Sequence, residues 1–119
     1  MEDLKEVSFV FEIHQLSIDD PRVFRGLEHF TTDVNIKNID YKNYKKVYSG
    51  GLTFKKIQDA DKQVIVLLEK IFTKFNIDHP KNYTGRSLSV SDLVRITNES
   101  ELDEWYFCNR CGWEKVNII

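Results

Sequence analysis

Cysteine occurs only twice in the 119 residues, too rarely for the disulfide framework of a small secreted domain. No apolar run approaches the roughly 20 residues that a bilayer span needs. The opening Met1-Glu2-Asp3-Leu4-Lys5-Glu6 is acidic and lacks the basic region and apolar stretch of a secretory signal. Basic excess is missing too: 17 Lys and Arg face 19 Asp and Glu, for a net charge of −2. That balance excludes a bulk-basic nucleic-acid binder and a whole-molecule acidic mimic of nucleic acid. No internal repeat, linker or low-complexity tract interrupts the chain. What these absences leave is a soluble, cytoplasmic, single domain with no membrane association.

The rest of the composition is that of a globular chain: 41% hydrophobic and 30% charged residues, enough to exclude disorder. A chain this long buries roughly two-thirds of its unfolded surface and can build its own core. Lys, Asn and Ile, whose codons are AT-rich, are frequent, as expected of a low-GC bacterial or phage genome.

Val7 to Leu16 alternates. Val7, Phe9, Phe11 and Ile13 point one way, and Ser8, Glu12 and His14 the other, which reads as a half-buried strand. Val10 and Leu16 on the second face predict that this face is partly covered. Ser17 to Pro21 is a turn. Val23, Phe24, Leu27 and Phe30 recur at helical spacing, so a short helix is expected over about 22–31, weakened by Gly26. Thr31 to Asp40 reads as loop. Lys45 to Tyr48 reads as a strand, ending at Ser49-Gly50-Gly51 or continued by Leu52 and Phe54. Asp59 or Asp61 can cap the next element. Val64, Leu67, Leu68, Ile71, Phe72 and Phe75 form the strongest helical stripe, over about 60–75. Ile65 and Val66 widen it and predict burial on more than one side. Asn76 to Arg86 is an ordered loop and Ser87 to Asp92 a serine-rich turn. Leu93 to Thr97, Trp105 to Cys108 and Trp113 to Ile118 are short strands of an antiparallel meander. The fold class is α+β: a small, open, mostly antiparallel sheet packed by one main helix, with the meander at the C-terminal end.

Three segments carry specific motifs. Ile71-Phe72-Thr73-Lys74-Phe75-Asn76-Ile77-Asp78-His79-Pro80 leads into Tyr83-Thr84-Gly85-Arg86-Ser87-Leu88-Ser89-Val90-Ser91-Asp92-Leu93-Val94. Trp105-Tyr106-Phe107-Cys108 and Gly112-Trp113 follow. Ile13-His14-Gln15-Leu16 and Tyr44-Lys45-Lys46-Val47-Tyr48 precede them. Together these resemble the signature of the YodL-like domain family over nearly the whole chain. Cys108 and Cys111 depart from that pattern, where apolar residues are commoner, and Leu52 to Lys62 looks like an insertion. The resemblance implies a small protein-binding module of bacteria, phages and conjugative elements, without a common catalytic activity. It implies an accessory protein of a mobile element that inhibits a host protein, such as a CRISPR or restriction effector or the cell-shape machinery.

Cys108-Asn109-Arg110-Cys111-Gly112 is a CxxC knuckle, half of a zinc ribbon. A structural zinc needs four ligands, and His14, His29 and His79 have no paired spacing. The pair reads as two thiols buried as small apolar residues in a hairpin, with metal binding by Cys108 and Cys111 as the alternative. A redox role is disfavoured, since the pair is not at a helix N-terminus. Ser87, Ser89, Ser91 and Asp92 lack a nucleophile elbow and read as turn residues bonding backbone. His79 beside Pro80 reads as a loop residue with one hydrogen bond. No catalytic residue and no cofactor are expected. Lys42, Lys45, Lys46, Lys55 and Lys56 lie among Tyr41, Tyr44, Tyr48 and Phe54. Such interleaving could grip single-stranded nucleic acid or be a solvated strand edge. Glu99, Glu101, Asp103 and Glu104 form an acidic loop that would suit a basic groove on a nucleic-acid-processing enzyme. Partner contact is assigned to these four acids with Tyr83 and Arg86. A nucleic-acid accessory protein using 41–56, or a small zinc module, is the alternative. An exposed sheet edge could support a homodimer.

Overall fold

The computed structural model describes residues 6–119 except positions 32, 34, 57 and 100, with the backbone alone at 60 and 61. The opening residues 1–5 and the Asp61 side chain, read above as acidic leader and candidate cap, lie outside the described residues.

Six strands and one helix follow in the order β1 (Glu6–Leu16), β2 (Asn38–Ile39), β3 (Tyr44–Lys55), α1 (Ala60–Ile77), β4 (Leu93–Thr97), β5 (Asp103–Asn109) and β6 (Gly112–Ile118). They form one sheet, ordered β2-β6-β5-β4-β1-β3. Every pairing is antiparallel except β2 with β6. The expected α+β class and C-terminal meander are both present. The strand over 44–55 runs through Ser49-Gly50-Gly51, which corrects the turn expected there, and it includes Leu52 and Phe54, the continuation allowed for.

Alternation along β1 builds two cores, one on each face. Phe9, Phe11 and Ile13 pack with Val94 and Ile96 against Leu67, Leu68, Ile71 and Phe75 of α1. Each such buried side chain contributes about 1.5–3 kcal/mol of transfer free energy. The helix begins where Asp59 Oδ1 accepts the Lys62 N–H at 3.3 Å, the capping role expected of Asp59. It ends before Pro80, and Lys74 in its last turn complements the helix dipole.

On the opposite face, Leu16 and Leu93 pack with Leu27, Ile39, Tyr44, Phe107 and Val116. The cover here is the chain of the twenties and thirties, and it reaches only one end of the sheet. Leu16 is buried while Val10 stays half-exposed. The register of β1 against β3 shifts between Ile13 and His14. Past this bulge His14, Gln15 and Leu16 are all buried, so the strand end is gripped from both faces.

Three further expectations are corrected. The helix expected over 22–31 is absent: only Leu27–His29 makes a single 3-10 turn. Phe24 sits at φ 64° and Gly26 is extended at ψ 172°, which interrupts helical dihedrals. Val23, Leu27 and Phe30 still reach the second core, but from turns. The 31–40 loop contains β2, paired in parallel with β6. Ile65 does not give α1 a second buried side: it is 55% exposed, because the sheet covers the helix from one direction only.

Candidate functional site

The most specific run of the sequence, 76–92, folds into a buried latch. Asn76 Nδ2 donates to Leu88 O at 3.1 Å and its Oδ1 accepts the Leu88 N–H at 2.6 Å. Tyr83 is buried and its hydroxyl donates to Arg86 O. Burial pushes that phenol up to about 12. Gly85 passes beneath it: a Cβ there would lie 2.6 Å from the Tyr83 hydroxyl and 2.9 Å from Gln15 Oε1. Only glycine allows so close an approach. Gln15 then clamps the loop to β1, its Nε2 donating to Arg86 O and its Oε1 accepting the Arg86 N–H, each at 3.0 Å.

The same amide donates to Asp92 Oδ2 at 3.0 Å, which also accepts the Ser89 N–H at 2.8 Å. Asp92 is fully buried, and its Oδ1 has no hydrogen-bond partner among the described residues. Burial outweighs those two bonds and the nearby Arg86 charge, and its pKa rises to about 7. Ser91, at φ 84°, accepts the Phe24 N–H through Oγ at 3.0 Å and the Tyr44 hydroxyl through its carbonyl at 2.6 Å. Ser89 Oγ donates to Ser87 O. The serines and Asp92 therefore bond the turn and its neighbours. Among the described residues no histidine is bonded to Ser87, Ser89 or Ser91, so a base for a nucleophile is not in place.

The acidic stretch does not act as one patch. Glu99 and Glu101 are exposed in the loop. Asp103 turns to the second face, where Arg95 holds it with two bonds of 2.8 and 2.7 Å and lowers its pKa. Glu104 turns to the helix face, accepts the Tyr106 hydroxyl at 3.0 Å and pairs with Lys115. Strand alternation separates the two neighbours, as it must once β5 starts at Asp103.

The lysines divide similarly, but with a different outcome. Lys42, Lys45, Lys46, Lys55 and Lys56 are all exposed, and none makes an ion pair among the described residues. Their aromatic neighbours are engaged elsewhere. Tyr48 stands against Phe11 and Phe75, Phe54 stacks on Phe9, and Tyr41 donates toward His14. Lys45 and Lys46 lie near one end of β3 and Lys55 at the other, roughly 30 Å apart at the usual strand rise. Between them runs Ser49-Gly50-Gly51, with nothing larger than a hydroxymethyl group. Among the described strands, β3 is the sheet's long free edge, bonded to β1 alone.

Beside the Lys45 end lies an open depression of about 350 Å³ lined by Arg86, Lys45, Asn43 and Thr84 among others. The Arg86 guanidinium donates to Leu16 O at 2.8 Å and stands 5.5 Å from the exposed Phe24 ring. Its Nε is buried without a partner among the described residues, and no carboxylate pairs with it there. The sequence placed Arg86 and Lys45 far apart. The signal it did carry was two lysine clusters flanking a glycine pair.

Two further groups are accounted for by packing. His14 is buried, with Nδ1 2.7 Å from the Tyr41 hydroxyl and Nε2 2.9 Å from Glu12, and burial lowers its pKa. Of the CxxC pair, Cys108 is buried but Cys111 is exposed at the hairpin tip, which corrects the expectation that both thiols are inside. Burial pushes the Cys108 thiol up to about 12, so it is a poor nucleophile. Among the described residues no group of three or more His, Cys, Asp or Glu is placed to hold a metal ion. Nor is any described helix long and apolar enough to cross a membrane.

The latch, its clamp Gln15 and the C-terminal hairpin are the segments that carried the family signature. The family model described as the YodL-like domain matches residues 10–118. No curated protein and no solved structure matches significantly. With nearly its whole length covered, the chain belongs to the YodL-like domain family.

Proposed function

We propose that this chain is a non-enzymatic protein-binding module that inhibits a host protein by occluding it. The observation that carries this reading is the β3 edge: twelve strand residues that, among the described residues, have one open side and lysines without ion pairs at both ends. The groups suited to chemistry support it from the other direction. Asp92, Ser91, Ser89 and His14 are spent on hydrogen bonds that hold the fold. The family setting favours a defence effector of the CRISPR or restriction type as the target, with cell-shape machinery as the other class. Of the four acids first assigned to the contact, Glu99 and Glu101 remain free to take part at its margin. Affinity capture from a host lysate, followed by assay of the captured protein, tests the reading. A stoichiometric partner whose activity falls when bound is expected. Recovery of background proteins alone would remove it.

A further inference from the structure

The proposed module has three surfaces on which a partner could act: the outer face of α1 with Ile65 and Ile77, the bare end of the second face around Val10, and the β3 edge. For the first two, nothing in the structure says what covers them. The third carries its own indication of chemistry. Five lysines and Arg86 border it. Among the described residues none of the six pairs with a carboxylate. Lys46 stands beside His14 and Lys55 opposite Glu6 in the ladder. Glu12, near this edge, is taken by His14 and Arg95, while the exposed acids beside it stand at its ends, Glu6 and Glu99 near Lys56 and Asp40 near Lys42.

Resting on the reading of the chain as a binding module, we propose that β3 receives an extended acidic segment of the partner protein. The segment adds as a seventh strand, its backbone paired along 47–54, its carboxylates on one face held by Lys46 and Lys55 and a carboxylate on the other face held at one end by Lys45 and Arg86. Addition of a strand to a free edge supplies affinity through main-chain bonds and selectivity through alternate side chains. The small Ser49-Gly50-Gly51 centre lets the incoming backbone approach without a steric barrier. The Arg86 depression at one end takes a carboxylate through a charge-assisted hydrogen bond from the part of the guanidinium not committed to Leu16 O.

Charge also excludes a second copy as the occupant. An antiparallel β3–β3 pair would set Lys45 and Lys46 against Lys55 and Lys56, and like charges directly opposite are destabilising. The lysines that repel self-pairing are the ones that attract an acidic strand. Nucleic acid fits less well, because Tyr41, Tyr44, Tyr48 and Phe54 are turned to packing and cannot stack on bases.

The test is an amide-resolved NMR titration of the full chain with a synthetic peptide of about ten residues alternating glutamate with threonine, the length of a long strand. Controls are the same peptide with proline in place of threonine and a thymidine oligonucleotide of similar length. Shifts concentrated at the amides of 47–54 are expected, with no binding by the proline peptide, which cannot complete a ladder. Charge reversal by Lys45→Glu with Lys46→Glu, and separately by Lys55→Glu, weakens the peptide about tenfold or more. These side chains are exposed, so the spectra of the variants stay those of the folded chain. No peptide binding, shifts confined to α1, an unchanged affinity in both variants, or tighter oligonucleotide binding at the same amides each overturns the proposal. The broader reading is tested separately. A target captured equally by the wild-type and charge-reversed chains refutes the edge while the binding module stands. Peptide binding at β3 without any captured target supports the edge and removes the host-inhibitor reading.

Discussion

Replacing Asp92 by Asn should change how stability depends on pH more than how large it is at any one pH. The carboxyl is fully buried, accepts two N–H groups on Oδ2 and leaves Oδ1 unpartnered among the described residues. Its pKa rises from 3.8 to about 7, with burial the dominant cause. In the folded state it therefore holds a proton that the unfolded chain has already released. Stability is fully present below about pH 4 and is lost as pH rises through about 7. At about 1.4 kcal/mol per pH unit, the loss across that window is about 4 kcal/mol. Asn keeps the two accepted bonds through its oxygen, but sets an amide nitrogen where Oδ1 has no partner. That costs about 1–3 kcal/mol at every pH. His14, whose pKa is lowered by burial, works in the opposite sense, losing stability as pH falls below its unfolded value, and does so in both proteins. The difference between wild type and Asp92→Asn cancels it. Urea unfolding at a series of pH values should give a difference that falls by about 4 kcal/mol from pH 4 to 7. A difference flat across that range means that Asp92 is ionised throughout, and the burial argument fails.

Asn76→Ala removes both bonds to the Leu88 backbone and should lower stability by about 1–3 kcal/mol in urea unfolding; an unchanged midpoint would mean that the latch is held without it. Gly50→Ala would place a Cβ 2.9 Å from Tyr48 Cε2 and 3.1 Å from Phe11 Cζ. Overpacking of that kind should cost about 1–3 kcal/mol, read by thermal melting, and a neutral result would show that the two rings yield freely. Thiol titration with a chromogenic disulfide should label Cys111 quickly in the folded protein and Cys108 only after unfolding, since one thiol is exposed and the other buried. Two fast equivalents in the native state would contradict the hairpin placement.

Periodicity made several elements legible. The alternation from Val7 to Ile13 and the stripe from Val64 to Phe75 each specify a face, because a strand repeats every two residues and a helix every 3.6. Asp59 was readable as a cap for the same local reason. The spacing of Val23, Leu27 and Phe30 misled. Those side chains need only reach a core, and turns through a left-handed Phe24 bring them there as well as a helix would. Ile65 misled differently: an apolar residue on a helix says nothing about whether anything lies opposite it. The acidic run from Glu99 to Glu104 read as one patch, yet the start of β5 at Asp103 sends successive carboxylates to opposite faces.

The sequence by itself determined the family, the α+β class, the main helix and the C-terminal meander. All of these rest on local periodicity or on a contiguous motif. Only the tertiary structure decided that β3 is a free edge and that Gln15 of the first strand clamps Arg86 and Asp92. It alone set Lys45 beside Arg86, and it alone showed that the family motif is a buried latch while the lysine-bordered edge is open. Strand order and the meeting of residues some seventy positions apart follow from how two faces of one sheet can both be covered. Long-range packing fixes that, and no local pattern encodes it.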